Sequence, residues 1–257
     1  MSRFENLEFG SPAEGRTRSS AKGAEHYLAE AQGAFENGDF EQALRFYGRV
    51  LEYNPTCAAA WTGQVRMLIE LGRLDEAKAW ADQAVERFPR ESELLAAKAV
   101  VLGRLGDLQA ALTFSDAAIE EQGNTPYVWL ARGDVLLARQ EKQADFCFGK
   151  ALAMAARDWC GHWLASRIHS FYEKFSLALK YAQQALALAP SRAVVWLQLG
   201  YCQQGLGLFG AAQHSFLQAR QLDPRRAPAV ATATAAMQSN TGLFSRLRHV
   251  LRQWLGS

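Results

Sequence analysis

Two groups of residues have types and spacings that could support chemistry, and the first is a glycine pattern at 205–210. Gly205, Gly207 and Gly210 spell G-x-G-x-x-G, which cradles a dinucleotide pyrophosphate when it follows a strand and opens a helix. The residues before Gly205 have the composition of a helix, so the required strand is missing. The sequence therefore predicts a turn between two helices at this place and no cofactor.

The second group, Cys160, His162 and His169, has the residue types that bind metal ions. A fourth ligand is not apparent, and the helical register directs both histidines toward a neighbouring helix. We therefore predict a packed, hydrogen-bonded histidine pair and no metal site. No P-loop, HExxH or nucleophile-elbow motif occurs, and the acidic residues are scattered over helix surfaces. We predict no catalytic residue and no enzymatic activity.

The elements that position these residues follow a period of 34 residues. The stretch 193–224 reads as two short helices separated at Leu206 and Gly207, and this pattern occurs six times between residues 24 and 226. Small residues recur where the two helices of a hairpin must approach closely. They are Ala43, Ala77, Ala111, Ala144, Ala178 and Ala212 on the second helices, and Ala31, Val65, Ala99, Gly133, Ser166 and Gly200 on the first. The sequence therefore predicts an all-α stack of helix hairpins.

The sixth unit resembles the signature of the tetratricopeptide repeat (TPR) family at Trp196, Leu199, Gly200, Ala212, Phe216, Ala219 and Pro224. The second unit matches at the same spacing, at Trp61, Ala77, Ala84 and Pro89. The resemblance implies an α-solenoid of about six TPR helix hairpins in a right-handed superhelix, with a C-terminal capping helix. It also implies that the first helices line a concave groove that binds a peptide or protein segment. The family's clamp for chaperone C-termini is not reproduced, because its positions hold Leu28, Gln32, Thr62 and Arg66.

The candidate partner-binding residues lie at the inward positions of the first helices. Arginine and aromatic side chains anchor many protein interfaces. The arginines could pair with acids of a ligand, while the aromatic residues offer apolar surface. Packing against an adjacent helix is an equally open alternative for each of them. The predicted partner-binding residues are Arg66, Arg104, Tyr127, Asp134, Trp163, Arg167 and Tyr201.

Residues 1–23 form a predicted flexible tail before the repeats. The second half of the tail is rich in glycine, serine and charge, as linkers are, whereas Phe4, Leu7 and Phe9 are apolar. Two interpretations of segment 4–9 remain open. The segment either rests on the nearest groove of the array or acts as a short linear motif that docks a partner protein.

Residues 227–257 are predicted to form a degenerate seventh hairpin that ends in a basic amphipathic helix, 242–255. Leu243, Leu247, Val250, Leu251 and Trp254 fall on one face of that helix. As a cap, the helix would cover the open end of the solenoid. As a membrane-surface helix, it would bury its apolar side chains in an anionic interface. The residues predicted for either contact are Phe244, Leu247, Leu251, Trp254, Arg246, Arg248 and Arg252.

The charge distribution favours a protein partner over a nucleic acid. The net charge is +2 for the chain, +5 for residues 225–257 and +1 for residues 1–23, which leaves −4 on the residues between them. That segment matches a phosphate backbone poorly. Four scattered cysteines without a CxxC pair, and no apolar leader, suit a cytoplasmic protein. We predict a non-enzymatic cytoplasmic adaptor that binds a protein or peptide. The alternatives are a peripheral membrane adaptor attached through 242–255 and, less favoured, an RNA-binding helical-repeat protein.

Overall fold

The structure is a computed structural model, and it describes residues 17–121 and 124–237. Over those residues the chain forms twelve α-helices and a short 3-10 turn, without a strand. The helices are α1 Thr17–Glu36, α2 Phe40–Tyr53, α3 Ala58–Glu70, α4 Leu74–Arg87, α5 Ser92–Leu105, α6 Leu108–Glu120, α7 Pro126–Ala138, α8 Ala144–Met154, α9 Trp159–Phe171, α10 Phe175–Leu188, α11 Ala193–Gly205 and α12 Phe209–Leu222. The turn Pro224–Arg226 leads into further helical residues, 227–237. The predicted all-α solenoid of helix hairpins is confirmed.

The chain divides into two compact units, with the boundary between Ala155 and Ala156. Unit 1 contains the hairpins α1–α2, α3–α4, α5–α6 and α7–α8, and unit 2 contains α9–α10, α11–α12 and residues 227–237. In unit 1 the first helices α3, α5 and α7 lie side by side, and in unit 2 α9 lies beside α11. We call the surface formed by α1, α3, α5 and α7 the first-helix face of unit 1.

The small residues of the two predicted rows lie in the interior of the hairpins. The six alanines on the second helices are at most 1% exposed. A β-carbon at Gly133 would come within 2.7 Å of the Phe148 ring, and one at Gly200 within 2.5 Å of the Phe216 ring. These two hairpins therefore need glycine on the first helix, because the second helix carries phenylalanine at the contact.

Left-handed backbone conformations connect the helices within the hairpins. Gly72, Gly106 and Gly207 have φ angles of 71°, 94° and 73° in these turns, where glycine avoids a steric penalty. The fourth and fifth hairpins keep the same geometry with larger residues, at Gln140 (φ 59°) and Glu173 (φ 55°). Both turns therefore hold local backbone strain, which is on the order of 1–3 kcal/mol for such residues.

Helical residues 227–237 cover the last hairpin of unit 2. Val230, Ala233 and Met237 are buried and pack against Ala212 and Phe216 of α12. The Gln204 side-chain amide of α11 donates a hydrogen bond to the Ala233 carbonyl at 3.4 Å. The apolar face of these helical residues therefore belongs to the core of unit 2.

Candidate functional site

Arg66 of α3 lies between two aromatic rings on the first-helix face of unit 1. Its guanidinium carbon is 3.8 Å from the centroid of Tyr127 on α7 and 5.3 Å from that of Phe35 on α1. A guanidinium over an aromatic face is attracted by the ring quadrupole, so the rings fix the orientation of this side chain. Three different first helices thus position one arginine. We call Arg66, Phe35, Tyr127 and Glu93 the Arg66 cluster.

Glu93 of α5 lies at the edge of the Arg66 cluster. Its carboxylate is 3.9 Å from Arg66, and the two side chains are 32% and 22% exposed. A pair at this distance and exposure contributes little to stability. Burial raises the pKa of the Tyr127 phenol well above its ordinary value, an effect that the Arg66 charge partly offsets. Tyr127 is therefore a neutral phenol at physiological pH, and Arg66 provides the positive charge of the cluster.

Arg104 and Asp134 belong to the same face, but the structure pairs them with each other. Nη2 of Arg104 on α5 donates a hydrogen bond to Oδ2 of Asp134 on α7, and the two atoms are 2.7 Å apart. The two side chains are only 7% and 2% exposed. Both were predicted to bind a partner, yet their polar groups face one another in the interior. Their arrangement is that of a buried ion pair that joins two neighbouring helices.

In unit 2 the structure places the three predicted residues at different depths. Trp163 is fully buried at 0% exposure, so its indole cannot offer apolar surface to a partner as expected. Arg167 lies with its guanidinium carbon 5.4 Å from the Trp163 ring centroid. Tyr201 is 37% exposed and packs edge-on against Phe216. Burial raises the pKa of its phenol, while the charge of Arg167 lowers it.

The inward face is more closed than the repeat register alone predicts. Sequence reasoning identified Arg66 and Tyr127 by their type and position, but it did not identify Glu93. Nor did it foresee that Arg104 would pair with Asp134, since no motif marks a contact between residues 30 positions apart. The sequence did contain one signal for this contact, because it places an arginine and an aspartate on adjacent first helices.

The histidines of the fifth hairpin are packed in the core of unit 2. His169 is buried, its Nδ1 lies 2.8 Å from the Ala165 carbonyl oxygen, and its ring packs on Tyr181. His162 is 8% exposed, and its buried Nδ1 has no hydrogen-bond partner in the described part of the chain. Hydrogen bonding is thus shown for His169 and not for His162. Across residues 17–121 and 124–237 no group of three potential ligands is arranged to hold a metal ion.

The glycine pattern at 205–210 forms a turn between helices. Helix α11 ends at Gly205 and α12 begins at Phe209, with Gly207 in the left-handed conformation. The β-carbon position of Gly205 points into the ring of Phe175, at 2.5 Å. The turn accounts for Gly207 and the packing on Phe175 for Gly205, whereas a β-carbon at Gly210 would have no neighbour within 4 Å. The element before the pattern is a helix rather than a strand.

Several predicted contacts fall on residues that lie outside the described part of the chain. They are Phe4, Leu7 and Phe9 of the tail, and Phe244, Leu247, Leu251, Trp254, Arg246, Arg248 and Arg252 of the C-terminal segment. Within the described part, no helix combines the length and the hydrophobicity that a bilayer span requires.

Comparison with known proteins places this arrangement among helical repeats. The family model of the tetratricopeptide repeat matches residues 34–101, a segment that includes Phe35, Arg66 and Glu93. No curated protein matches the chain. Among solved structures, a chain of the APC/C hetero-tetramer Cut9–Hcn1 is 15% identical, with 88% of this chain and 44% of that chain covered and a TM-score of 0.52. This chain therefore spans less than half the length of that one, and the likeness shows the fold.

Two further solved structures are similar at lower scores. YrrB, a TPR protein with an unusual peptide-binding site, is 16% identical, with 75% of this chain and 97% of that chain covered and a TM-score of 0.42. The Pseudomonas aeruginosa protein pilF is 17% identical, with 80% of this chain and 94% of that chain covered and a TM-score of 0.45.

Proposed function

Since this chain is a tetratricopeptide repeat protein, we propose that it is a non-enzymatic scaffold that binds a protein segment at the Arg66 cluster. Repeats of this family form protein-interaction scaffolds and are typically non-enzymatic. The finer assignment rests on one observation, which is the arginine held between Phe35 and Tyr127 on the first-helix face of unit 1. The segment it suits is acidic, with an apolar side chain beside the charge.

The geometry supports an acidic segment because two aromatic rings hold a cation that keeps 22% of its side-chain surface. The N–H donors of a guanidinium lie along its edge, and the Glu93 carboxylate is 3.9 Å from the Nη1 atom of Arg66. A carboxylate from a partner can add to that edge in a charge-assisted hydrogen bond. Because the rings already restrict the arginine, less side-chain entropy is lost on binding. Arginines of this kind often contribute about 2 kcal/mol or more to an interface.

A charge-reversal experiment tests this proposal on the full-length protein. Arg66→Glu is compared with Arg157→Glu, which changes an exposed arginine before α9 and serves as the matched control. Proteins captured by each variant from the same extract are quantified by mass spectrometry, and circular dichroism checks that both variants fold. We expect Arg66→Glu to lose at least one partner that Arg157→Glu and wild type retain. Identical partner sets for all three proteins would contradict the proposal.

Unit 2 offers a smaller candidate surface at Arg167 and Tyr201. Arg167 is partly exposed above the buried Trp163, and Tyr201 keeps 37% of its surface. These residues can extend the contact with a protein partner. Arg167→Ala with Tyr201→Ala is the suitable test, since Trp163→Ala would also disturb the core.

Attachment to an anionic membrane surface through 242–255 remains a prediction that rests on the sequence. Its test is co-sedimentation with phosphatidylserine vesicles of the full-length protein and of Leu247→Asp/Trp254→Asp. Equal sedimentation of the two proteins would exclude this mode of attachment. RNA binding remains the least favoured alternative, because the segment between the termini carries a net charge of −4. We place the scaffold in the cytoplasm, as the scattered cysteines suggest.

A further inference from the structure

A cleft lies between α2 and α4 in unit 1, apart from the first-helix face. Its volume is about 310 Å³, which is at the small end of ligand sites in proteins. Leu44, Leu51 and Gly48 of α2, Gln64 of α3 and Trp80 of α4 form its walls. A cleft of this size suits one or two apolar side chains rather than a long peptide.

In the next two hairpins an ion pair fills the site that is equivalent to this cleft. Gly48 and Gln64 stand at the positions of that ion pair and leave the site open. Positions 34 residues later hold Asp82 for Gly48 and Lys98 for Gln64, and Lys98 Nζ lies 2.9 Å from Asp82 and 4.3 Å from the Phe114 ring centroid. One repeat further, Arg132 forms an ion pair with Asp116. At the first position, Gln64 instead donates a hydrogen bond to the Leu44 carbonyl at 2.8 Å. The site beside Gly48 and Trp80 is therefore left open.

The rim of the cleft carries a positive charge that the described residues do not neutralise. Arg45 is exposed and lines the cleft, and within the described part of the chain no acid pairs with it. Arg49, one turn further along α2, forms an ion pair with Glu52 at 2.7 Å. The cleft thus combines apolar walls at Leu44, Leu51 and Trp80 with a cation that no acid of the described residues pairs with. An occupant that fits has an apolar side chain with a carboxylate close to it in sequence.

We propose that residues 4–9 of this chain, Phe-Glu-Asn-Leu-Glu-Phe, occupy the cleft between α2 and α4. The segment alternates apolar residues with Glu5 and Glu8, so one of its apolar side chains enters beside Trp80 while a glutamate pairs with Arg45. Residues 225–257 carry five arginines and no acid. The positive charge at the rim of the cleft would repel them.

The position of α1 allows this contact. A β-carbon at Gly23 of α1 would lie 3.1 Å from the Tyr53 ring, and Tyr53 follows directly after the cleft residues Leu51 and Glu52 on α2. The start of α1 at Thr17 is six helical residues before Gly23, or about 9 Å along the helix axis. The linker 10–16 spans up to about 23 Å when extended. Residues 4–9 therefore reach the cleft without any change in α1.

Proteolysis of the full-length protein tests the proposal. In a Glu14→Gln background, a glutamate-specific protease cleaves the tail after Glu5 and Glu8, and the synthetic peptide 1–12 gives the rate for an undocked tail. Because cleavage follows the open population, we expect the tail of the protein to be cleaved about tenfold more slowly than the peptide. Equal rates for the protein and the peptide would overturn the proposal.

Variants of the cleft identify where the tail is held. Gly48→Met fills the cleft with a residue that favours a helix, and its β-carbon meets only the flexible Gln64 amide, at 3.3 Å. The matched control is Gly149→Met, at the corresponding position of α8, where a β-carbon has no neighbour within 4 Å. We expect Gly48→Met to restore the cleavage rate of the peptide and Gly149→Met to keep the protection. Protection that persists in Gly48→Met would overturn the assignment to this cleft.

Two further measurements do not depend on how the cleft variant folds. Phe4→Ser/Leu7→Ser changes only the tail, and we expect it to be cleaved as fast as the corresponding free peptide. Arg45→Glu should also increase the cleavage rate, unlike the control Arg157→Glu. Protection that disappears when the protein is diluted a hundredfold would show that the tail of a second copy fills the cleft, which overturns docking within one chain.

Discussion

Arg66 and Arg104 were assigned the same role from the sequence, but their surroundings in unit 1 differ. Both belong to first helices of neighbouring hairpins and both point toward α7. Arg104 is buried against the carboxylate of Asp134, whereas Arg66 keeps 22% of its side-chain surface and is held by aromatic rings. The difference teaches that charge and register are not sufficient to identify a binding residue. What distinguishes the two arginines is the burial of the ion pair: Arg104 and Asp134 are 7% and 2% exposed, whereas Arg66 and Glu93 are 22% and 32% exposed.

Unit 2 shows the same contrast between a buried and a partly exposed residue. This contrast predicts the largest effect on the free energy of unfolding. Trp163 is fully buried, and Tyr201 is 37% exposed. Trp163→Ala should lower the free energy of unfolding by roughly 3–5 kcal/mol, since it removes a large core side chain. Tyr201→Ala should lower it by about 1 kcal/mol, the contribution of an aromatic pair. Urea denaturation of the full-length variants measures both values. Similar losses for the two variants would remove the distinction between core and surface.

The second prediction tests the buried ion pair directly. Arg104→Ala leaves the Asp134 carboxylate buried without its partner, which should cost about 3 kcal/mol of unfolding free energy. Arg104→Met/Asp134→Leu removes both charges and should recover most of that loss, because it replaces the pair with apolar side chains of similar size. If the double variant is no more stable than Arg104→Ala, the prediction that the loss comes from an unpaired buried charge is wrong.

The third prediction concerns Arg66, which lies beside the rings of Phe35 and Tyr127. Arg66→Ala should change the free energy of unfolding by only about 0.5–1 kcal/mol, the contribution of a cation–π contact at an exposed site. Arg66→Lys retains the charge but loses the flat guanidinium and its paired donors. We expect Arg66→Lys to unfold at the same urea concentration as wild type, within error. A loss of 3 kcal/mol or more in either variant, the size expected for a broken buried pair, would place Arg66 in the same class as Arg104.

The fourth prediction concerns the left-handed turns of the fourth and fifth hairpins. Glu173→Gly relieves a left-handed conformation that costs on the order of 1–3 kcal/mol, while glycine adds about 0.5–1 kcal/mol of entropy cost. The difference between these ranges is a gain of roughly 0–2.5 kcal/mol in the free energy of unfolding, with about 1 kcal/mol in the middle. Gln140→Gly should give a similar gain in the free energy of unfolding. Thermal denaturation followed by circular dichroism measures the gain, and a lower melting temperature for both variants would show that these turns are unstrained.

The fold was predictable because a 34-residue period fixes which residues meet inside each hairpin. Ala77 and Ala111 repeat at that spacing, and both are fully buried. The depth of an individual side chain was not predictable in the same way. The register places Trp163 on an inward helix face, but burial depends on which neighbouring side chains cover that face. One sequence therefore identified the hairpins and left the exposure of their inward residues open.

The contacts of the site depended on deviations from the repeat rather than on the repeat itself. Arg104 and Asp134 meet across 30 residues, which is not the repeat length, so a periodic pattern does not reveal the pair. The cleft between α2 and α4 also follows from an interruption, because Gly48 stands where later hairpins carry Asp82 and Asp116. That interruption is visible in the sequence, but its meaning requires the distance between Lys98 and Asp82.

Partner retention by two folded variants tests the central claim most directly. Full-length Arg66→Lys and Arg104→Met/Asp134→Leu are compared with wild type in quantitative affinity capture, after urea denaturation has shown that both remain folded. We expect Arg66→Lys to retain at least tenfold less of a partner, since losing such an arginine contact often costs about 2 kcal/mol. The Arg104/Asp134 double variant should retain it like wild type. The opposite pattern, with the partner lost only from the double variant, would contradict the account.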